Sequence, residues 1–111
     1  MKTHEEYMEL ALEEARKAEE IDEVPVGCVI VCDGEVISRG HNLKEQLNQA
    51  YAHAEMMAIQ KAAEIKGNWC LNDCDLYVTL EPCMMCTGVI NLSRIRTVYY
   101  GTQDPKGGCL E

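Results

Sequence analysis

Three side chains suited to binding zinc occur in two short segments of the chain. His53 opens a His-Ala-Glu sequence, while Cys83 and Cys86 form a Cys-x-x-Cys pair directly after Pro82. A structural zinc site closes with four protein ligands, whereas a catalytic site keeps one position for water. Three ligands beside the carboxylate of Glu55 therefore predict a catalytic site that holds one Zn²⁺ per subunit.

The chemistry of such a site follows from the charge of the ion. Zinc lowers the pKa of a bound water from about 15.7 towards about 7, so that a nucleophile is available at neutral pH. That nucleophile could attack the amine-bearing carbon of a purine or pyrimidine, with Glu55 as the catalytic group that carries protons to the ring and to the departing ammonia. The pattern H-x-E followed by P-C-x-x-C is the signature of zinc deaminases that act on nucleobases.

Two other interpretations of the same residues stay open at this stage. A Cys-x-x-Cys pair alone can be a redox pair, and a closed structural zinc site could recruit a further cysteine as its fourth ligand. The candidates for that fourth ligand are Cys28, Cys32, Cys70, Cys74 and Cys109.

Composition limits the class of protein. The 111 residues, with 26% charged and 47% apolar side chains, predict one soluble domain over residues 1–111. No run approaches the ~18 apolar residues of a membrane span, and no secretory signal opens the chain. Seven cysteines, an odd number, then favour the reducing cytoplasm. The net charge of -9 weakens the interpretation that the chain binds nucleic acid. It does not exclude that interpretation, because nine of the nineteen acidic residues are concentrated in residues 1–23.

Periodicity and turn signals predict the secondary structure. Thr3 and Glu6 form a possible capping box for a helix over residues 4–20. Strands over 26–32 and 35–39 flank an Asp33-Gly34 hairpin turn, after which 40–42 leave the sheet and 43–51 form a polar loop. The remaining elements are a helix over 53–65, a strand over 75–80, a helix from Pro82 to Leu92 and a strand over 96–100. This order predicts an α/β fold with a mixed sheet.

Several segments, which include the zinc signature and extend beyond it, resemble the bacterial tRNA-specific adenosine deaminases. They cover residues 23–27, 40–42, 53–59, 76–86, 93–95 and 98–101. The resemblance implies a three-layer α/β/α fold of the cytidine deaminase type. It also implies a homodimer whose zinc pocket receives the flipped target base. The substrate would be a tRNA anticodon stem-loop, in which adenosine at the wobble position is converted to inosine, or another single-stranded nucleic acid.

The resemblance further implies the substrate contacts. Asn42 would hydrogen-bond the purine with help from the backbone of Ala54, and Val26 would line the pocket. The main chain near Glu81 would hold the water or the leaving group, and Asp104 would touch the substrate backbone at a ribose 2′-hydroxyl.

The chain departs from the family at its C-terminus. Family members typically continue with a last strand and one or two helices, so we expect C-terminal elements to be missing and phosphate contacts to be weaker. A free nucleobase or nucleoside deaminase acting on guanine, cytosine or cytidine is the alternative enzyme. The alternative outside enzymes is a non-catalytic, zinc-stabilised scaffold that assembles with a longer deaminase.

Overall fold

The structure is a computed structural model that describes residues 2–102. Asp104 and Cys109, both named above, lie outside these residues. In chain order the elements are α1 (His4–Glu20), β1 (Gly27–Cys32), β2 (Glu35–His41), α2 (Lys44–Leu47), α3 (Ala54–Lys66), β3 (Cys74–Val78), α4 (Met84–Leu92) and β4 (Thr97–Tyr100).

The four strands form one mixed sheet in the order β2-β1-β3-β4. Strand β1 runs antiparallel to β2 and to β3, while β3 and β4 are parallel. Because side chains alternate along a strand, β1 contributes to both faces. Val29 packs with Tyr7 of α1 on one face, and Ile30 packs with residues of α3 and α4, such as Ala58 and Ile90, on the other. The predicted three-layer α/β/α arrangement is confirmed.

Local signals explain two of the boundaries. The Thr3 side chain accepts a hydrogen bond from the Glu6 backbone while the Glu6 carboxylate accepts one from the Thr3 backbone, so the predicted capping box begins α1. Asp33 and Gly34 have φ of 51° and 80°. Positive φ at both positions is the requirement of a type I′ hairpin turn, which joins β1 to β2 as predicted.

The structure corrects four predicted boundaries. Strand β2 continues through Gly40 to His41, since those residues pair with Cys28 and Gly27 of β1 instead of leaving the sheet. The segment 43–51 is not wholly loop, because it contains the short helix α2. Strand β3 ends at Val78, two residues before the predicted end. Pro82 lies before α4, whose N-cap is Cys83.

Two glycines let helices approach the sheet closely. A Cβ atom at Gly27 would lie 2.0 Å from the Ala11 carbonyl oxygen of α1. A Cβ atom at Gly40 would lie 2.6 Å from the Ala54 carbonyl oxygen and 2.7 Å from the Ala58 nitrogen of α3. These neighbours are backbone atoms that cannot rotate away, so only glycine fits. Gly40 therefore sets how closely the first turn of α3 lies against β2.

We expect Gly40→Ala to lower the free energy of unfolding by about 1–3 kcal/mol, the usual cost of overpacking a core. The matched control is Gly88→Ala in α4, where an added Cβ meets nothing within 4 Å. The control should raise stability by about 0.5–1 kcal/mol through helix propensity. Urea denaturation of both variants measures the difference, and equal stabilities would contradict the close approach at Gly40.

Candidate active site

His53 and Cys83 occupy the same position in two different helices. Each is an N-cap with extended backbone, at φ -79° and ψ 158° for His53 and φ -73° and ψ 175° for Cys83. An N-cap side chain usually accepts a hydrogen bond from the first turn, but neither side chain does so here. Both side chains instead turn towards a point between the two helix starts. Cys86, in the first turn of α4, reaches the same point.

The distances among the three side chains fit a zinc ion. The Nδ1 atom of His53 lies 3.6 Å from Cys83 Sγ and 3.5 Å from Cys86 Sγ. Ligands at about 2.0 Å for nitrogen and about 2.3 Å for sulfur around a tetrahedral ion stand about 3.5 Å apart. Both nitrogen-to-sulfur distances thus match the spacing that zinc requires, and Nδ1 is the nitrogen of His53 that faces the two sulfurs.

No fourth protein ligand joins this group within residues 2–102. The ligand atoms of His53, Cys83 and Cys86 lie within 4.8 Å of one another, and no other described His, Cys, Asp or Glu side chain meets that limit with all three. Cys32 and Cys74 belong to a separate group. Among the described cysteines, the arrangement therefore favours the open, catalytic type of zinc site over the closed one.

Electrostatics at the site suit a bound cation. Burial and the nearby Lys44 ammonium lower the pKa of His53, which keeps its imidazole in the neutral form that binds metals. Burial, followed by the negative charges of Glu55 and Cys83, raises the pKa of Cys86. A thiolate at Cys86 therefore needs a compensating positive charge, which a divalent cation would supply.

Glu55 is buried in the first turn of α3, with 4% of its surface exposed. Burial raises the pKa of its carboxyl group, although hydrogen bonds from its own backbone and from Cys86 oppose that shift. A carboxyl group whose pKa moves from its usual range towards neutrality is better suited to take up and release protons. His53 and Glu55 can face one pocket because His53 lies just outside the helix and Glu55 just inside it.

A pocket of about 270 Å³ lies in front of these residues. His53, Glu55 and Cys83 line it together with three of the predicted substrate-contact residues, which are Val26, Asn42 and Glu81. Typical ligand pockets measure about 300–1,000 Å³. This pocket therefore has the size for a single base and not for a folded nucleic acid.

Ala54, a fourth predicted contact residue, is joined to Asn42. The side-chain oxygen of Asn42 accepts a hydrogen bond of 2.8 Å from the Ala54 backbone N–H. Because the donor is a backbone amide, the oxygen and nitrogen of Asn42 are assigned without ambiguity. Its Nδ2 group is left as the donor that a ligand could meet. Asp104 lies outside the described residues.

Sequence reasoning missed several residues that line the pocket, among them Glu23, Lys44 and Leu80. The carboxylate of Glu23 is buried and accepts a hydrogen bond of 2.7 Å from the Gln46 backbone, which ties the segment before β1 to α2. Residues 23–27 and 76–86 already stood out in the family resemblance, so a signal for Glu23 and Leu80 existed. Lys44 gave no such signal, because only the fold brings it to the pocket.

Comparison with known proteins identifies the family. The sequence model of the cytidine and deoxycytidylate deaminase zinc-binding region matches residues 1–102. The chain belongs to this deaminase family. The zinc prediction is thereby confirmed, since zinc binding defines the matched region.

Among relatives of the deaminase family, the tRNA-specific adenosine deaminase of Bacillus subtilis is 53% identical over 103 residues, which are 93% of this chain. The chain spans 64% of that relative's length. A solved structure from studies of A-to-I editing by tRNA:A34 deaminases superposes with a TM-score of 0.94 at 55% identity, covering 96% of this chain and 82% of that one. The resemblance to tRNA-specific adenosine deaminases is confirmed.

A guanine deaminase from Bacillus subtilis shares the same fold. Its TM-score is 0.89 at 38% identity, and the match covers 92% of this chain and 66% of that chain. The cytidine-deaminase-like fold therefore serves more than one base, and the fold alone does not choose the substrate. No helix within residues 2–102 is long and apolar enough to cross a bilayer.

Loss of a residue that only supports a zinc ligand lowers zinc affinity by about 10–100-fold. Because Cys86→Ser removes a ligand itself, we expect it to weaken the tightest zinc binding by more than that. The control is Cys70→Ser, which removes a thiol from outside the group and should leave that affinity unchanged. Competition against a chromophoric chelator measures both affinities. Equal zinc affinity in the two variants would contradict the assignment of Cys86 as a ligand.

Proposed function

We propose that the chain is a hydrolytic deaminase that converts adenosine to inosine in RNA, at the wobble position of a tRNA anticodon. The observation that carries the proposal is the open set of three zinc ligands facing a base-sized pocket beside a buried carboxylate. The 55% identity to a structure from studies of tRNA:A34 deaminases supports the choice of adenosine and tRNA. A tRNA substrate would place the activity in the cytoplasm.

His53, Cys83 and Cys86 would hold the zinc, which supplies a water nucleophile activated at neutral pH. Glu55 takes a proton from that water and delivers it to the ring nitrogen next to the amine-bearing carbon. The water oxygen has by then bonded to that carbon. Glu55 takes the remaining proton of this oxygen and passes it to the amine, which leaves as ammonia when its bond to the carbon breaks and the carbonyl of inosine forms. One carboxylate serves both transfers because each transfer returns Glu55 to its deprotonated form.

Asn42 would position the base. Its oxygen already accepts a hydrogen bond from the Ala54 backbone, which leaves the Nδ2 group as the donor that Asn42 offers to a ligand. Purine N7 is an acceptor, so the geometry suits a purine held through an acceptor nitrogen. Ala54 then acts by orienting Asn42, while Val26 and the segment around Glu81 form the walls of the pocket.

A pocket of this size admits only a base that has left its stack. Besides Glu55 and Glu81, three further acids and one lysine line the pocket, which are Asp22, Glu23, Glu45 and Lys44. That balance disfavours phosphate in the pocket. Selection of the tRNA would therefore depend on the shape of the flipped loop and on contacts outside the pocket.

The competing candidate is a free guanine deaminase, which the similarity to the Bacillus subtilis enzyme supports. A substrate panel separates the two. Zinc-loaded protein is incubated with an anticodon stem-loop carrying a wobble adenosine and, separately, with guanine, cytosine and cytidine. Inosine in the stem-loop with no ammonia from the free compounds supports the proposal. Ammonia from guanine alone would replace it, and no turnover on any substrate would favour the scaffold alternative.

We expect Glu55→Gln to slow deamination by at least about 10²–10⁴-fold while zinc content and fold persist. The amide has the same shape as the carboxylate but cannot carry the proton. Glu45→Gln is the control, since Glu45 is an exposed acid on the same pocket. Single-turnover assays of inosine formation give the rates. A Glu55→Gln rate matching that of the control would remove Glu55 from the mechanism.

Asn42 is tested by a pair of variants. Asn42→Asp keeps an oxygen acceptor for the Ala54 N–H but lacks the Nδ2 donor, whereas Asn42→Ala loses both. We expect both variants to lose substrate affinity, and only Asn42→Ala to lose about 1 kcal/mol of stability as well, the usual effect of removing such an acceptor at a helix start. Michaelis constants and urea denaturation measure the two effects. Unchanged Michaelis constants in both variants would contradict the proposed contact with the base.

A homodimer is also proposed, from the surface of α4. Met84 and Leu92 are 78% and 74% exposed and share one helix face with Gly88 between them. Two such faces could pack against each other, and exposed apolar side chains grouped on one helix face are typical of an interface. We expect the double variant Met84→Lys and Leu92→Lys to sediment as a monomer.

The control for the dimer is Ile65→Lys, which changes a side chain that is 64% exposed on α3. It should sediment like the wild-type chain. Analytical ultracentrifugation across a range of concentrations measures all three proteins. A wild-type chain that stays monomeric at high concentration would overturn the dimer without touching the proposed chemistry.

A further inference from the structure

A second cluster of thiols lies at the end of β1 remote from the pocket. Cys32 is the last residue of β1 and Cys74 the first of β3, and the two are direct partners in the antiparallel pairing. Side chains of direct partners point to the same face of the sheet. Asp73 immediately precedes Cys74, so a carboxylate lies beside both sulfurs.

The geometry of this cluster resembles that of the active site. The two carboxylate oxygens of Asp73 lie 3.4 Å from Cys32 Sγ and 3.4 Å from Cys74 Sγ, respectively. One ligand atom from each of the three residues lies within 4.8 Å of the others. A tetrahedral zinc ion with sulfur at about 2.3 Å and oxygen at about 2.0–2.2 Å sets those atoms about 3.5 Å apart. Both oxygen-to-sulfur distances match that value, each measured from a different oxygen of Asp73.

Lys66, at the end of α3, adds a positive charge to the cluster. Its ammonium contacts the Asp73 carboxylate and lies 3.6 Å from Cys32 Sγ. With both thiols protonated, the Asp73 carboxylate and the Lys66 ammonium cancel, and the Asp33 carboxylate, 3.9 Å from Cys32 Sγ, adds one negative charge. Exchange of the two thiol protons for one divalent cation leaves that net charge unchanged, because two thiolates balance the ion. The protons pass to solvent.

We propose that Cys32, Asp73 and Cys74 form a second binding site for Zn²⁺ or a similar thiophilic divalent cation. Two sulfurs and one oxygen suit such an ion, and Mg²⁺ or Ca²⁺ prefers oxygen alone. The site ties the end of β1 to the start of β3 and has no part in the proposed deamination. With three protein ligands, it binds more weakly than a structural site with four.

A regulatory disulfide between Cys32 and Cys74 fits the same residues less well. Disulfide formation needs a thiolate as the nucleophile. Burial and Asp73 raise the pKa of Cys74 to about 12 and also raise that of Cys32, so both thiols are held in the unreactive form. The same raised pKa values oppose zinc binding, since a ligand thiol must lose its proton, but a divalent cation supplies the compensating positive charge and a disulfide does not.

Equilibrium dialysis of the zinc-free, reduced chain against Zn²⁺, with metal analysis, tests the proposal. The wild-type chain should bind two Zn²⁺ per chain. Cys32→Ser should bind one Zn²⁺ per chain. Asp73→Asn, a milder change at a half-exposed side chain, should also bind one. Cys86→Ser should keep the weaker equivalent, because it changes only the other site. Far-UV circular dichroism verifies that each variant is folded.

Two further variants sharpen the result. Cys70→Ser removes a nearby thiol from outside the cluster and should still bind two Zn²⁺. Lys66→Met removes the cation that competes for Asp73 and should tighten the second equivalent by about fivefold, the effect of one screened charge at about 4 Å. A wild-type chain that binds one Zn²⁺, or a second equivalent that persists in both Cys32→Ser and Asp73→Asn, would overturn the proposal.

Discussion

The convergence of two helix starts on one point is the constraint on which the site depends. His53 and Cys83 end extended segments just before α3 and α4, and their side chains do not cap their own helices. They are therefore available to share an ion. The first turns of the same helices supply Cys86 and Glu55. Helix N-termini carry partial positive charge, which stabilises the thiolates and the carboxylate that the chemistry needs.

The sheet fixes that convergence through a few backbone contacts. Gly40 lets α3 lie directly on β2, and Asn42, just after β2, accepts a hydrogen bond from the first amide of α3. On the other side, the Gly27 backbone donates to the Thr79 hydroxyl, which joins the start of β1 to the segment that leads into α4. The pocket therefore lies where β1 begins and where β2 and β3 end.

How much of this could be read from the sequence depends on the range of the interactions. The grouping of His53, Cys83 and Cys86 could be predicted because their spacing reflects chemistry, and the Asp33-Gly34 turn because two adjacent residues determine it. Helix α2 was missed because its N-cap, Leu43, makes no side-chain cap, and its first turn instead binds the distant Glu23. The extra length of β2 depends on pairing with Cys28 and Gly27, which no local pattern reveals.

The most direct test of the account is a crystal structure of the zinc-loaded chain, with the ions located by anomalous scattering. The account predicts an ion bound by His53 Nδ1, Cys83 Sγ and Cys86 Sγ, with a solvent molecule as fourth ligand within hydrogen-bond reach of Glu55. A protein sulfur in that fourth position, or a Glu55 carboxylate turned away from the solvent ligand, would contradict it.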